Sequence, residues 1–228
     1  MKKDKVGSIS PEAIYQFIYA QIKDGKPKNG GEDLRSYLRH KRKRRVPHDT
    51  RRCQRLWKPR GASIEERPKI VEKKKRFGDW EGDTVESCDH KPGLNTTLER
   101  KSGIVQITKL AGKTSADTVM ALDRRFKYLP PKLKCTLTLD NGPENSDWPT
   151  IESVLRINCF FAHPYRSCER GANENINGLI RDYFPKKTDF TVVSEEEIAR
   201  VEYDLNTRPR KRLGYRTPLE VWSVALRS

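Results

Sequence analysis

The order of strand-like and helix-like segments limits what this chain can fold into, because few architectures accommodate it. Residues 78–85 are strand-like, and two extended runs at 95–100 and 104–110 are joined by three residues, which is typical of a β-hairpin. Helical and extended spacing then alternate: a helix capped at 114 or 115, a strand at 135–140, a short helix near 151–155, a strand at 157–162 and a helix from about 173. This order predicts an α/β fold with a mixed central sheet flanked by helices.

Capping signals predict further helices near both ends of the chain. Ser10 followed by Pro11 marks a helix start, and apolar residues at helical spacing continue to residue 22. Ser194 with Glu197 forms a capping-box pattern, and the segment TPLE at 217–220 forms another. The sheet is therefore expected to be followed by two helices and preceded by a short helical segment.

A strongly basic run separates that first helix from the rest. Residues 35–60 hold twelve Lys or Arg, one acid and few large apolar side chains, so this run cannot bury a core. We predict an N-terminal helical segment at 1–33, which could be the remnant of a helix-turn-helix region, a basic linker at 34–66 and a folded core with C-terminal helices at 67–228. Within the run, the candidates for phosphate contact are Arg42, Lys43, Arg44 and Arg45, although basic runs can also be solvated tails.

Charge and composition restrict the partners. The chain carries 47 Lys or Arg against 31 Asp or Glu, a net charge of +16, and such a field attracts polyanions such as DNA. No apolar run of about 18 residues and no signal-peptide pattern is present, so we expect a soluble protein with no membrane partner. Five cysteines without a Cys-x-x-Cys pair argue against a disulfide framework or a zinc ribbon.

Three acids lie where chemistry is expected. Asp83, Asp140 and Glu174 each stand near a strand end or helix start beside small polar residues. Clustered carboxylates repel one another unless a cation neutralises them, and hard oxygen ligands suit Mg²⁺. Taken singly, each acid could equally be a salt-bridge residue. Asp79 and Glu81 share a strand face with Asp83, so periodicity alone cannot decide which of the three is a ligand and which are structural.

Four segments together carry a resemblance to a known family. Exactly 33 residues separate the second and third acids, and the match runs over roughly residues 11–222. On this basis the chain resembles the insertion sequence thirty (IS-thirty) family of DDE-type transposases. The segments are GDWEGD at 78–83, TLDNG at 138–142, RGANENINGLIR at 170–181 and LNTRPRKRLGY at 205–215.

The resemblance implies a ribonuclease-H-like fold shared with retroviral integrases. It also implies that Asp83, Asp140 and Glu174 are the catalytic triad and the metal ligands, holding two Mg²⁺ or Mn²⁺ ions. The implied reaction is cleavage of phosphodiester bonds at transposon ends, followed by strand transfer into target DNA. The implied partners are transposon-end DNA, target DNA and further copies of the chain assembled on DNA.

Polar residues around the last acid are candidate DNA contacts. These are Arg170, Asn173, Asn177 and Arg181, for which helix packing is the alternative. Members of the family usually carry a longer N-terminal region with helix-turn-helix domains, so we expect this chain to be N-terminally truncated. Two alternatives to a transposase are a nuclease that only hydrolyses DNA and an inactive DNA-binding remnant.

Overall fold

The computed structural model describes residues 9–23, 26–38, 61–163, 169 and 171–227. The chain divides into two compact units, Met1–Gln54 and Arg55–Ser228. The predicted DNA contacts at 42–45 lie outside the described residues, and the predicted boundaries at 33 and 66 remain predictions. No helix within the described ranges is long and apolar enough to cross a membrane.

The described part of the first unit, residues 9–23 and 26–38, contains one α-helix and a short hairpin. Helix α1 spans Pro11–Ala20, and the side chain of Ser10 caps it by accepting a hydrogen bond from the backbone N–H of Ala13 at 3.1 Å. Strands β1 (Ile22–Lys23) and β2 (Lys26–Pro27) pair antiparallel. The helix predicted from Ser10 is therefore confirmed.

The second unit is built on a five-stranded mixed sheet. Its strands are β3 (Asp79–Val85), β4 (Leu94–Glu99), β5 (Val105–Lys109), β6 (Thr136–Leu139) and β7 (Asn158–Phe161), in the spatial order β5-β4-β3-β6-β7. β3, β4 and β5 pair antiparallel, whereas β6 and β7 continue from β3 in parallel. The predicted hairpin and the predicted mixed sheet are both confirmed.

Five helices accompany the sheet, in the predicted order. They are α2 (Ser115–Phe126), α3 (Trp148–Leu155), α4 (Gly171–Tyr183), α5 (Glu195–Thr207) and α6 (Pro218–Arg227). The expected capping pairs form at α5 and α6, and the cap predicted at α2 is a third such pair, of Thr114 with Asp117; in each, a Thr or Ser side chain and an acid three residues later bond each other's backbone N–H groups. Helix α4 begins two residues earlier than predicted.

Two apolar cores cover the two faces of the sheet. On one face, Trp80 and Leu137 pack with residues of α2, α3 and α6. On the other, Val85 and Leu98 pack with residues of α4 and α5. Because side chains alternate along a strand, Asp79, Glu81 and Asp83 share the face of Val85. Helix α4 therefore lies across the face that carries these acids.

The edge strand β5 has side chains bonded along its backbone. Asn206 of α5 accepts from the N–H of Val105 at 2.9 Å and donates to its carbonyl at 2.7 Å. Glu202 of α5 accepts from the N–H of Ile107 at 2.6 Å, and Arg125 of α2 donates to the carbonyl of Ile107 at 2.9 Å. These backbone groups would otherwise lack strand partners.

Candidate active site

Two of the predicted acids lie on neighbouring parallel strands. Glu81 of β3 is in register with Thr138 of β6. Two residues further along each strand come Asp83 and Asp140, and the parallel register places them next to each other on one face. Asp83 belongs to β3, and Asp140 directly follows β6. The fold therefore brings these two carboxylates to one region of the sheet.

The carboxylate of Asp83 is bonded to helix α4. The side-chain amide of Asn177 donates to Oδ2 of Asp83 at 2.7 Å, and the backbone N–H of Thr84 donates to Oδ1 at 2.9 Å. The hydroxyl of Thr96, opposite Asp83 on β4, lies 3.2 Å from Oδ1 of Asn177 and 3.2 Å from the carbonyl oxygen of Asp83. With Oδ1 of Asn177 facing a hydroxyl, its NH₂ group is directed at Asp83.

The carboxylate of Asp140 is held by the turn that follows β6. Its Oδ1 accepts from the backbone N–H of Gly142 at 3.0 Å and from the side-chain amide of Asn145 at 2.8 Å. Asn145 is buried, and Asn141 donates to the carbonyl of Ala162 at 2.7 Å, which ties the turn to the end of β7. The turn thus fixes the orientation of the Asp140 carboxylate.

Glu174 lies in the first turn of α4, between two residues that contact β3. Asn173 donates to the carbonyl of Gly82 at 3.3 Å, and Asn177 bonds Asp83. The Glu174 side chain is exposed. Among the described residues, no three His, Cys, Asp or Glu side chains form a group that could hold a metal ion. The structure therefore brings together β3, β6 and α4, the elements next to which the three acids lie. The three carboxylates do not form a metal-binding group among the described residues, so the triad remains a prediction.

The other two acids on the face of β3 are bound by arginines. Asp79 accepts from Arg76 at 2.8 and 2.9 Å and from the hydroxyl of Thr136 at 2.8 Å. Glu81 forms an ion pair with Arg100. Both acids are buried, with about 1% of each side chain exposed. These contacts support the structural alternative for Asp79 and Glu81.

The predicted DNA contacts near Glu174 mostly have partners within the protein. Asn173 is buried and donates to the carbonyl of Gly82, which favours the helix-packing alternative, and its contact with DNA remains a prediction. Asn177 is engaged by Asp83 and Thr96, as the helix-packing alternative requires. Arg181 donates to the carbonyl of Glu86 at 2.6 Å, and burial lowers the pKa of its guanidinium. DNA contact by Asn177 and Arg181 remains a prediction, and Arg170 lies outside the described residues.

Two residues of this region, Thr96 and Asn145, could not be identified from the sequence. Thr96 and Asn177 are 81 positions apart, so no local pattern joins them. Asn145 follows Asp140 by five residues, and its role depends on the way the Asn-Gly-Pro turn folds back. Asn141 directly follows Asp140 in the sequence, but Asn145 is the residue whose side-chain amide donates to Oδ1 of Asp140.

The chain is similar to transposases of insertion sequences. It is 42% identical over 219 residues to the transposase for insertion sequence element IS4351 of Bacteroides fragilis, covering 94% of this chain and 64% of that protein. It is 34% identical over 223 residues to the transposase InsI for insertion sequence element IS30A of Escherichia coli strain K12, covering 96% of this chain and 57% of that protein. The chain thus spans less than two thirds of the length of each. No protein-family model matches it.

Among solved structures, the chain is similar to the catalytic core domain of BIV integrase. The TM-score is 0.50 at 18% sequence identity, covering 66% of this chain and 96% of that domain. At this identity the likeness concerns the fold alone. The predicted ribonuclease-H-like fold of the integrase type is confirmed.

Proposed function

Since this chain belongs to the insertion sequence thirty family of transposases, we propose that it cleaves DNA at transposon ends and joins the freed ends to target DNA. The observation that carries this proposal is the docking of α4 on β3. Asn173 and Asn177 bond Gly82 and Asp83, so the turn that bears Glu174 lies beside the strand that bears Asp83. β6, which ends before Asp140, is the parallel neighbour of that strand.

We propose that Asp83, Asp140 and Glu174 hold two divalent ions, Mg²⁺ or Mn²⁺. The donor set fits, because it consists of carboxylate oxygens, which these hard cations prefer. When bound, such ions supply a nucleophilic oxygen and stabilise the leaving oxygen of an in-line displacement. The exposed Glu174 side chain completes the set by turning toward the two aspartates.

The neighbouring amides position the two aspartates in this proposal. Asn177 holds Asp83, and Asn145 holds Asp140, each through an NH₂ group that donates without carrying charge. The carboxylates keep their rotamers and their negative charge, which a ligand to a cation requires. Thr96 directs the amide of Asn177 toward Asp83.

Both proposed steps are displacements at phosphorus. In the first, water attacks a phosphodiester at the transposon end, and the bond to the 3′ oxygen breaks to leave a 3′ hydroxyl. In the second, that hydroxyl attacks a phosphodiester of the target, so one bond forms as another breaks. The proposed partners are therefore transposon-end and target DNA, and pairing of two ends favours a homo-oligomer assembled on DNA.

A joining assay separates this proposal from its alternatives. The purified chain is incubated with Mg²⁺, a 3′-recessed element end and a supercoiled target plasmid, with Asp140→Asn as the matched control. Joined product from the wild type alone supports the transposase. Metal-dependent nicks without joined product indicate a nuclease that only hydrolyses, and DNA binding with neither product indicates an inactive remnant.

A further inference from the structure

Arg67 is a buried cation that lacks a carboxylate partner within the part of the chain that the structure describes. Its side chain is 7% exposed, and Nη1 donates to the hydroxyl of Thr138 at 2.8 Å. Nε of the same guanidinium is buried and has no hydrogen-bond partner among the described residues. A guanidinium removed from water is costly unless an anion compensates its charge. Arg67 therefore needs an explanation that packing does not give.

The neighbouring charges do not supply that anion. Arg100, 8% exposed, is paired with Glu81, and Asp79 is paired with Arg76. With these pairs set aside, Arg67 forms no ion pair among the described residues, and Glu72 acts on it only through space. Burial, and then the charge of Arg100, lower the pKa of Arg67, while Glu81, Glu72 and Asp79 act in the opposite direction.

Both arginines line a cavity of about 340 Å³, which is larger than a phosphate group requires. Three glutamates also line it. Glu65 and Glu72 are exposed, so water screens their charge. Glu169 accepts from the backbone N–H of His163 at 2.9 Å and lies 3.0 Å from its ring. These acids weaken binding of a free anion without removing the charge of Arg67.

The cavity lies close to the proposed catalytic acids. Thr138, which accepts from Arg67, precedes Asp140 by two residues on the same face of the sheet. Two residues of a strand span roughly 7 Å. This is comparable with the separation of neighbouring phosphates along one DNA strand.

We propose that this cavity is a phosphate site, in which Arg67, supported by Arg100, binds one backbone phosphate of the DNA next to the phosphate that is cleaved. The choice of DNA as the source rests on the proposed function. A phosphodiester carries a single negative charge, which matches the single uncompensated charge of Arg67. A planar guanidinium also presents paired N–H donors that suit two phosphate oxygens.

The first test measures thermal unfolding of the intact chain with inorganic phosphate. Wild type, Arg67→Met and Arg124→Met are compared in phosphate and in chloride of equal ionic strength. Arg124 is an exposed arginine on α2, so its variant controls for the loss of one charge. Without phosphate, Arg67→Met should be at least as stable as wild type, because it removes an uncompensated buried charge. About 50 mM phosphate should raise the Tm of wild type and Arg124→Met by roughly 2–4 °C more than that of Arg67→Met.

The opposite results for stability in chloride and for the response to phosphate would overturn the proposal. If Arg67→Met is clearly destabilised in chloride and phosphate raises the Tm of all three proteins equally, Arg67 is a structural residue. If Arg67→Met does not fold, Arg67→Lys keeps the charge and loses the paired donors. A reduced response to phosphate in that variant supports the site, whereas an unchanged response, or failure of both variants to fold, rejects it.

A second measurement identifies the source of the phosphate. Each of the two variants removes one positive charge. The slope of log affinity for DNA against log salt should be shallower by about 1 for Arg67→Met than for Arg124→Met. Equal slopes, with the thermal response intact, would assign the site to free phosphate and overturn the DNA contact. If wild type neither binds nor cuts DNA, the proposed function fails, while the thermal experiment still decides on the phosphate site.

Discussion

One face of β3 carries three acids, and the groups that contact their carboxylates are of two kinds. Asp79 and Glu81, in the first half of the strand, are buried against Arg76 and Arg100. Asp83, two residues further on, is half-buried and accepts from the amide of Asn177. The same residue type and the same face thus meet guanidinium groups at one end and a neutral amide at the other.

The difference indicates what each end of the strand does. A guanidinium cancels the charge of a carboxylate and fixes it in the interior, which suits a structural ion pair. An amide directs a carboxylate oxygen while leaving its charge to attract a cation. Asp140, which accepts from Asn145, belongs with Asp83 in this respect. The comparison supports the proposal that Asp83 and Asp140 take part in chemistry whereas Asp79 and Glu81 are structural, and substitutions at the two ends should then fail in different ways.

The largest effect is expected from Asp83→Asn. If Asp83 holds a cation, strand transfer and nicking should fall by roughly a thousandfold or more, since losing even one neutral donor to developing charge costs about a hundredfold to a thousandfold. Unfolding temperature and DNA affinity should change little. Rates of nicking in Mg²⁺, followed on gels beside a melting curve, provide the measurement. Activity within tenfold of wild type would remove Asp83 from the site.

Glu81→Gln should show the reverse behaviour. Removing one partner of a buried ion pair leaves the charge of Arg100 uncompensated, so the free energy of unfolding should fall by about 3–5 kcal/mol. Denaturant unfolding measures this loss. At a temperature where the variant is folded, nicking should stay within a few-fold of wild type. A folded variant without activity would place Glu81 among the chemical acids and abolish the distinction between the two ends.

Asn177→Leu should reduce activity with little loss of stability. The amide positions a proposed metal ligand, and such partners are typically worth about 10- to 100-fold in metal affinity or activity. The Mg²⁺ concentration for half-maximal nicking should rise, which a merely structural role would not cause. Asn175→Leu, an exposed position on the same helix, is the control. If both variants need the same Mg²⁺ concentration as wild type, the amide of Asn177 does not position Asp83.

The smallest effect is expected from Thr96→Val, which removes one hydroxyl and keeps the side-chain shape. A single neutral hydrogen bond contributes about 0.5–1.5 kcal/mol, so nicking should fall by roughly three- to tenfold. Thr96→Ser should recover most of the loss. Initial rates at a Mg²⁺ concentration below saturation distinguish the two variants, and equal rates for them would show that the hydroxyl does not orient Asn177.

The fold was predictable where periodicity and capping agree. The order of strands and helices in the second unit followed from apolar spacing, and the cap of α2 and the capping pairs of α5 and α6 formed as expected. These are local signals, carried by residues within four positions of one another. The start of α4 was misplaced by two residues, because the Gly171–Ala172 pair gives no clear capping signal.

Contacts between distant segments were not predictable in the same way. The sequence left open whether Asn173 contacts DNA or packs in the helix interface, and the structure shows it one helical turn before the buried Ile176, bonded to the sheet. The contact of Arg67 with Thr138 and that of Asn177 with Asp83 join residues 71 and 94 positions apart. The three acids of β3 are equivalent by alternation, and only the folded chain shows which of them meet arginines.

The side chains bonded along β5 affect how this protein can associate. An uncovered edge strand offers free N–H and carbonyl groups to a strand of another molecule and so promotes aggregation or strand addition. Here Asn206, Glu202 and Arg125 already occupy the backbone groups of Val105 and Ile107. Growth of the sheet at this edge would first have to break those bonds. Copies of the chain are therefore directed toward contacts through helices and loops, and away from continuous intermolecular sheets.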